Sequence, residues 1–185
     1  MDYAMLSRLQ LQSMTDQEDY LKLPAILLGA SAAVLPEQLA IWSYPLANAD
    51  ADEASFNMVT AMMCRIHQSG RLDSLSPQAS GQVAEGIRIY KDVLRKHIPA
   101  AVPFYPLRTS DITNPQAPIA FGMRSPEQTL LAVWRIDGPA TTRIPIDSRE
   151  PKLVYPANLG IDVTTQGDAL NIEFPRTHMA CLIAI

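Results

Sequence analysis

The hydrophobic pattern changes character part-way along the chain. Phe56, Val59, Met62, Met63 and Ile66 recur at helical spacing, with Asp52 placed to cap the start and Gly70 to stop the end. Ser76-Pro77 forms an N-cap and first-turn pair for a second helix through Val83, Ile87, Tyr90 and Leu94. Lys91, Arg95 and Lys96 fall near its C-terminal end, where positive charge is favoured. Gly81 and Gly86 weaken that helix by about 1 kcal/mol each, so it depends on tertiary packing. Upstream, Leu9-Gln10-Leu11-Gln12 alternates like a strand, Tyr20–Leu28 reads as a short helix interrupted by Pro24, and Leu39–Trp42 as a strand. Beyond residue 99 the pattern becomes short runs divided by Ser-Pro, Asp-Gly and Gln-Gly turns. They predict strands at Ile119–Met123, Thr129–Ile136, Thr142–Ile146, Leu153–Tyr155, Ile161–Thr164, Ala169–Phe174 and Met179–Ile185, an antiparallel sandwich or barrel with Trp134 in its core.

Composition sharpens the division. Of fifteen prolines, only Pro24, Pro36, Pro45 and Pro77 precede residue 99, and six of eight methionines lie between Met1 and Met63. Met and Ala suit helices, while dense proline suits turns and edge strands. Ile98-Pro99 must end a helix, so the expected units are residues 1–98 and 99–185. The 185 residues, 48% of them hydrophobic, are enough to bury a core, which excludes a disordered chain. Lys22, Pro24, Pro36 and Glu37 interrupt the most apolar stretch, so no membrane span is expected. The start has no basic region and no clean apolar run, so no signal peptide is expected and the cytoplasm is the expected location. A net charge of −4 argues against a nucleic-acid partner that works through a basic face.

Common catalytic signatures are missing: there is no Gly-rich phosphate loop, no HExxH helix, no GxSxG elbow and no paired-cysteine zinc site. Cys64 and Cys181 read as buried thiols, and His67, His97 and His178 as surface or packing residues, none at metal-ligand spacing. Neither a metal nor a cofactor is expected. The acidic run Thr15-Asp16-Gln17-Glu18-Asp19 stands apart because it directly follows the alternating Leu9–Met14 segment. Its carboxylates therefore fall at a strand's C-terminal end, where a (β/α) barrel keeps its active site. Paired carboxylates there serve glycoside hydrolysis; a solvated loop capping the Tyr20 helix has the same spacing.

Several segments in a shared order resemble the C-terminal half of a glycoside hydrolase family 36 α-galactosidase, or melibiase. Thr15-Asp16-Gln17-Glu18-Asp19 is similar to that family's Ser-Asp-x-x-Asp motif after the sixth barrel strand. Leu35-Pro36-Glu37-Gln38, Trp42-Ser43-Tyr44-Pro45 and Phe56-Asn57-Met58-Val59 resemble the seventh and eighth barrel units. Arg65-Ile66-His67-Gln68-Ser69-Gly70, Leu75-Ser76-Pro77, Glu85-Gly86-Ile87 and Tyr90-Lys91 resemble the last barrel helices. Ala132-Val133-Trp134-Arg135 with Asp137-Gly138 resembles the start of the family's C-terminal β-sandwich.

The resemblance implies an α/β plus all-β architecture: the tail of a (β/α)8 TIM barrel at residues 1–98 followed by an antiparallel β-sandwich. It implies Asp16 as general acid/base of a retaining mechanism on α-galactosides, with Asp19 a supporting carboxylate near the sugar. Where the family usually has an Arg, four residues past its second Asp, this chain has Leu23 with Lys22 beside it, so the basic contact loses its bidentate form. Trp42 and Tyr44 suit either sugar stacking or packing, and Glu37 and Gln38 are candidate rim contacts. The family's nucleophile, in a Lys-Trp-Asp-like motif, and its Gly-rich, Cys-containing segment have no counterpart, the latter ending about where Met1-Asp2-Tyr3 begins. Three of eight strands cannot close a barrel. The expectation is a fragment without hydrolase activity of its own. The alternatives are a non-catalytic sandwich that mediates assembly or binds sugar weakly, and one half of a split glycosidase. A homo-oligomer or a missing N-terminal barrel segment is the expected partner.

Overall fold

The computed structural model describes residues 2–146 and 150–185. A single helical turn α1 (Tyr3–Leu6) leads to strand β1 (Gln12–Ser13), helix α2 (Leu23–Ser31), strand β2 (Leu39–Ser43), helix α3 (Ala51–Met62), strand β3 (Arg65–Gln68) and helix α4 (Pro77–Ile89). Eight further strands follow: β4 (Val102–Phe104), β5 (Ile119–Arg124), β6 (Thr129–Arg135), β7 (Thr141–Ile144), β8 (Lys152–Tyr155), β9 (Asp162–Gln166), β10 (Ala169–Glu173) and β11 (Met179–Ala184). The seven strands expected after residue 99 all form; β4, a three-residue edge strand containing Pro103, is an addition.

The first half departs from the pattern at several places, beginning with the alternating Leu9–Gln12 run, of which only Gln12 pairs, in the two-residue β1. The expected helix through Ile66 ends at Met62, and Arg65–Gln68 is a strand that pairs in parallel with β2. Helix α3 is buried from Ala54 to Met62, so no polar face marks where its period stops. Its cap is Asp50, whose carboxylate accepts from the Glu53 N–H at 2.9 Å, not Asp52. Gly70 is not a helix stop but a turn residue at φ 90°, where a Cβ would lie 2.4 Å from the Pro45 carbonyl oxygen. Helix α4 starts as expected, with Ser76 Oγ accepting from the Ala79 N–H. Pro24 lies in the first turn of α2, where its missing N–H costs nothing.

The strands form three sheets, and no closed barrel is present among the described residues. Strands β1, β2 and β3 make a parallel sheet in that order, β4-β5-β6-β11-β8 a five-stranded antiparallel sheet, and β7-β10-β9 a three-stranded antiparallel sheet. Period-2 alternation explains how the layers stack. On β6, Leu130, Ala132 and Trp134 join a core with Phe56, Met58, Val59 and Met62 of α3, while Leu131 and Val133 join Leu170 and Ile172 of β10. On β11, Ala180 and Leu182 face the helices, and Met179, Cys181 and Ile183 the small sheet. Both faces of the five-stranded sheet are thus covered, which is why its central strands read as unbroken apolar runs. The larger core draws on residues either side of position 98. Trp134 is completely buried and donates its indole N–H to Thr60 Oγ1 at 2.9 Å.

Candidate functional site

The parallel sheet sets the geometry of the site. The β1 ladder continues through Met14 N–H, which donates to the Ala40 carbonyl at 3.2 Å, so Thr15 and Asp16 follow at its C-terminal end. Trp42 is paired with His67 across β2 and β3, and their rings meet edge to face with centroids 4.8 Å apart. Beyond the strands, the Ser69 N–H donates to the Ser43 carbonyl and the Arg71 N–H to the Pro45 carbonyl, holding the two loops together. A cleft of about 180 Å³ opens there, lined by Asp16, Gln17, Glu18, Trp42, Tyr44 and Ser69. It occupies the C-terminal end of parallel strands, the place where α/β folds collect their chemistry.

Local sequence chemistry shapes the acidic loop. Thr15 Oγ1 accepts from the Gln17 N–H at 3.0 Å, Gln17 Oε1 from the Asp19 N–H at 2.9 Å, and Asp19 Oδ1 from the Leu21 N–H at 3.2 Å. Asp19 is therefore used as a cap, and it also pairs with Lys22 at 3.1 Å. Asp16 is exposed and makes no hydrogen bond or ion pair among the described residues. On the other side of the cleft, Ser43 points away, its hydroxyl donating to the Met58 sulfur at 3.3 Å, so Trp42 and Tyr44 share the opposite face of the strand. The Tyr44 N–H is held by Asn57 Oδ1 at 3.2 Å, which ties this rim to α3.

The five residues singled out from sequence separate into three places. Asp16 and Trp42 meet in the cleft. Asp19 and Lys22 line a different, more apolar cavity of about 500 Å³ with Ile26, Ile112, Ile136 and Asp137. Glu37 precedes β2 and lies at the other end of the sheet, beside Arg65, Tyr90 and Arg95. Its backbone carbonyl accepts from Arg65 Nε at 2.6 Å. Ser69, Gln17 and His67 join the cleft or its wall although spacing did not mark them as site residues. The signal was the third strand, hidden by the helical reading of residues 65–68.

The remaining titratable candidates lie elsewhere. Cys64 and Cys181 are free and fully buried, and burial pushes the Cys64 thiol up to about 12 and the Cys181 thiol also upward. His97 is buried between Ser125 Oγ at 3.2 Å and Glu127, and His178 pairs with Asp137 at 3.2 Å. Burial holds His67 below its ordinary pKa, which favours the neutral ring. Among the described residues no group of three or more His, Cys, Asp or Glu side chains is gathered for a metal ion. Nor is any described helix long and apolar enough to cross a membrane.

The fold, a short parallel sheet backed by helices and two antiparallel sheets, matches a portion of solved glycoside hydrolase family 36 α-galactosidases, consistent with their C-terminal portion. The galactosidase domain of the α-galactosidase–sucrose kinase AgaSK matches 92% of this chain with a TM-score of 0.64 at 17% identity. The α-galactosidase AgaA from Geobacillus stearothermophilus matches 92% with a TM-score of 0.62 at 13% identity, and the α-galactosidase from Lactobacillus brevis 92% with 0.62 at 10%. This chain spans about a quarter of the length of each of those structures, 25% in every case. At these identities the likeness is one of fold. No family model matches the sequence, and no curated protein does.

Proposed function

We propose that these 185 residues are the C-terminal part of a retaining α-galactosidase, with β1–β3 the last strands of its barrel and residues 99–185 its sandwich domain. One observation carries the reading: the cleft places Asp16 opposite Trp42 and Tyr44 at the C-terminal end of the parallel strands. In the reaction Asp16 is the general acid that protonates the departing glycosidic oxygen, and then the base that activates water. Such a carboxyl works near neutral pH only when walls withdraw it from water. Here Asp16 is open to solvent, and the walls belong to strands outside these residues. Retention also needs a second carboxyl about 5–5.5 Å from the first as nucleophile, and that group is expected on an earlier strand. Asp19 acts as a positioning residue, since its carboxylate caps the turn after the acid.

On this reading the isolated chain does not turn over substrate. Purified protein incubated with melibiose or a nitrophenyl α-galactoside should release no galactose. Turnover that disappears on Asp16→Asn would overturn the claim that a second strand set is required. Joined to the barrel units that complete it, the protein should hydrolyse the nitrophenyl substrate, with Asp16→Asn costing about 10²–10⁴-fold. A second reading, an assembly module or one half of a split glycosidase, draws on one feature. Among the described residues, seven of the eight exposed large hydrophobic side chains (Tyr3, Met5, Leu9, Leu11, Leu35, Leu46, Leu72) fall in the first 72 positions. Light scattering of the chain alone and with its upstream barrel units separates the two.

A further inference from the structure

Trp42 presents a feature that packing alone does not account for. Its indole Nε1 and the Nδ1 of His67 are both closed off from solvent with no hydrogen-bond partner among the described residues. Leaving a buried polar group unpaired is costly, and native structures retain such groups where something else supplies the partner. The two nitrogens belong to neighbouring rings in edge-to-face contact, on strand residues that are paired across the sheet. One is an obligatory donor. The other is an acceptor when the neutral imidazole carries its proton on Nε2. A donor beside an acceptor matches a hydroxyl group, which accepts and donates at once. An ammonium has no acceptor and a carboxylate no donor, so each satisfies only one of the pair. The cleft on which Trp42 opens adds Tyr44, Ser69 and the carboxylates of Asp16 and Glu18, groups suited to a polyhydroxylated ligand.

We infer that Trp42 is a sugar-contacting residue that reads one hydroxyl of a hexopyranoside jointly with His67, and that His67 positions the indole. This rests on the glycosidase reading for the identity of the sugar, but not on catalysis. Because both nitrogens are closed off, the hydroxyl reaches them only as the indole turns toward the cleft. That movement makes Trp42 its own reporter. The chain has two tryptophans, and Trp134 is fully buried and hydrogen-bonded to Thr60, so it stays silent.

The experiment titrates the 185-residue chain with methyl α-galactoside and records tryptophan emission, with calorimetry alongside. The expected result is a saturable change in emission that is lost in Trp42→Phe and shifted to about tenfold weaker binding in His67→Ala. His67→Gln, which restores an acceptor, should recover part of the affinity; a purely structural role for His67 predicts no such rescue. Far-ultraviolet circular dichroism and the unchanged Trp134 emission check that the variants fold. Absence of a saturable change in the native chain, calorimetric binding that survives Trp42→Phe, or an equal response to glycerol would each overturn the inference. None of these outcomes bears on whether Asp16 is the acid, which the turnover assay decides.

Discussion

The single contact between Thr60 and Trp134 tests whether the two halves of the chain share one core. Thr60 is fully buried in α3, where its hydroxyl donates to the Phe56 carbonyl at 3.0 Å and accepts from the Trp134 N–H at 2.9 Å. Thr60→Val preserves shape and β-branching but removes the acceptor. The Phe56 carbonyl keeps a helical partner; the indole N–H does not gain one, because Trp134 is completely buried. Leaving that donor unpaired costs about 1–3 kcal/mol, equivalent to about 2–4 °C in Tm for each kcal/mol at this chain size. Trp134→Phe removes the donor instead, so in that background Thr60→Val should cost little, giving a coupling energy of about 1 kcal/mol or more. Urea unfolding followed by far-ultraviolet circular dichroism supplies the four stabilities. A single transition should shift as a whole, since the core holding Trp134 also holds Phe56, Met58, Val83 and Leu94. A cost below about 0.5 kcal/mol that is equal in both backgrounds, or two transitions of which only one moves, would refute the reasoning.

Two glycines of α4 should respond oppositely to alanine, and the alkaline limit of stability should trace in part to Tyr20. Gly81 has open space around it, so Gly81→Ala should stabilise by about 0.5–1 kcal/mol, read as a higher urea midpoint. At Gly86 the new methyl would meet Met58 Cε at 2.8 Å and its Cβ at 3.1 Å, so Gly86→Ala should lose that gain or destabilise. Tyr20 is raised to about 12 by burial and then by the carboxylates of Glu53, Asp50, Asp19 and Asp52. Its unfolded value is lower, so the unfolded chain ionises first. The Tyr20 contribution is constant below pH 10 and is lost as pH rises toward 12. Absorbance titration should show Tyr20, Tyr90 and Tyr155 ionising late, and Tyr20→Phe should remove one of these steps and lessen the alkaline fall.

What could be read from sequence followed how each element meets its neighbours. Strands after residue 99 were bounded by turn dipeptides and proline, and these signals are local, so Ala169–Glu173 and Met179–Ala184 were recognisable. Strand β3 was not, because the fully buried α3 feeds into it through Met63 and Cys64, both buried, with no polar break between them. That omission propagated to the site. With residues 65–68 read as helix, His67 had no reason to face Trp42 and Ser69 none to face Asp16. Asp16 itself was legible because the loop that carries it is folded by its own Thr15, Gln17 and Asp19 side chains. Glu37 was chosen for its place near a predicted strand end, a criterion that does not distinguish the two ends of a strand, and Asp19 as the second Asp of the resembled motif.

The distribution of exposed apolar side chains bears on why an acid alone does not make a hydrolase. The five-stranded sheet is buried on both faces and its half of the chain exposes a single large hydrophobic residue, Val102, at 68%. The parallel sheet is covered by helices on one face, while Tyr3 is 77% exposed and Leu35 58%. The half that carries Asp16 is thus the half that exposes more large apolar side chains among the described residues. Asp16 itself is exposed, and under the proposed function a general acid needs walls that withdraw it from water. Under the proposed function, strands packed over that surface would bring the apolar walls and the second carboxyl together. On that proposal enclosure of Asp16, more than its presence, separates an inert chain from one that turns over.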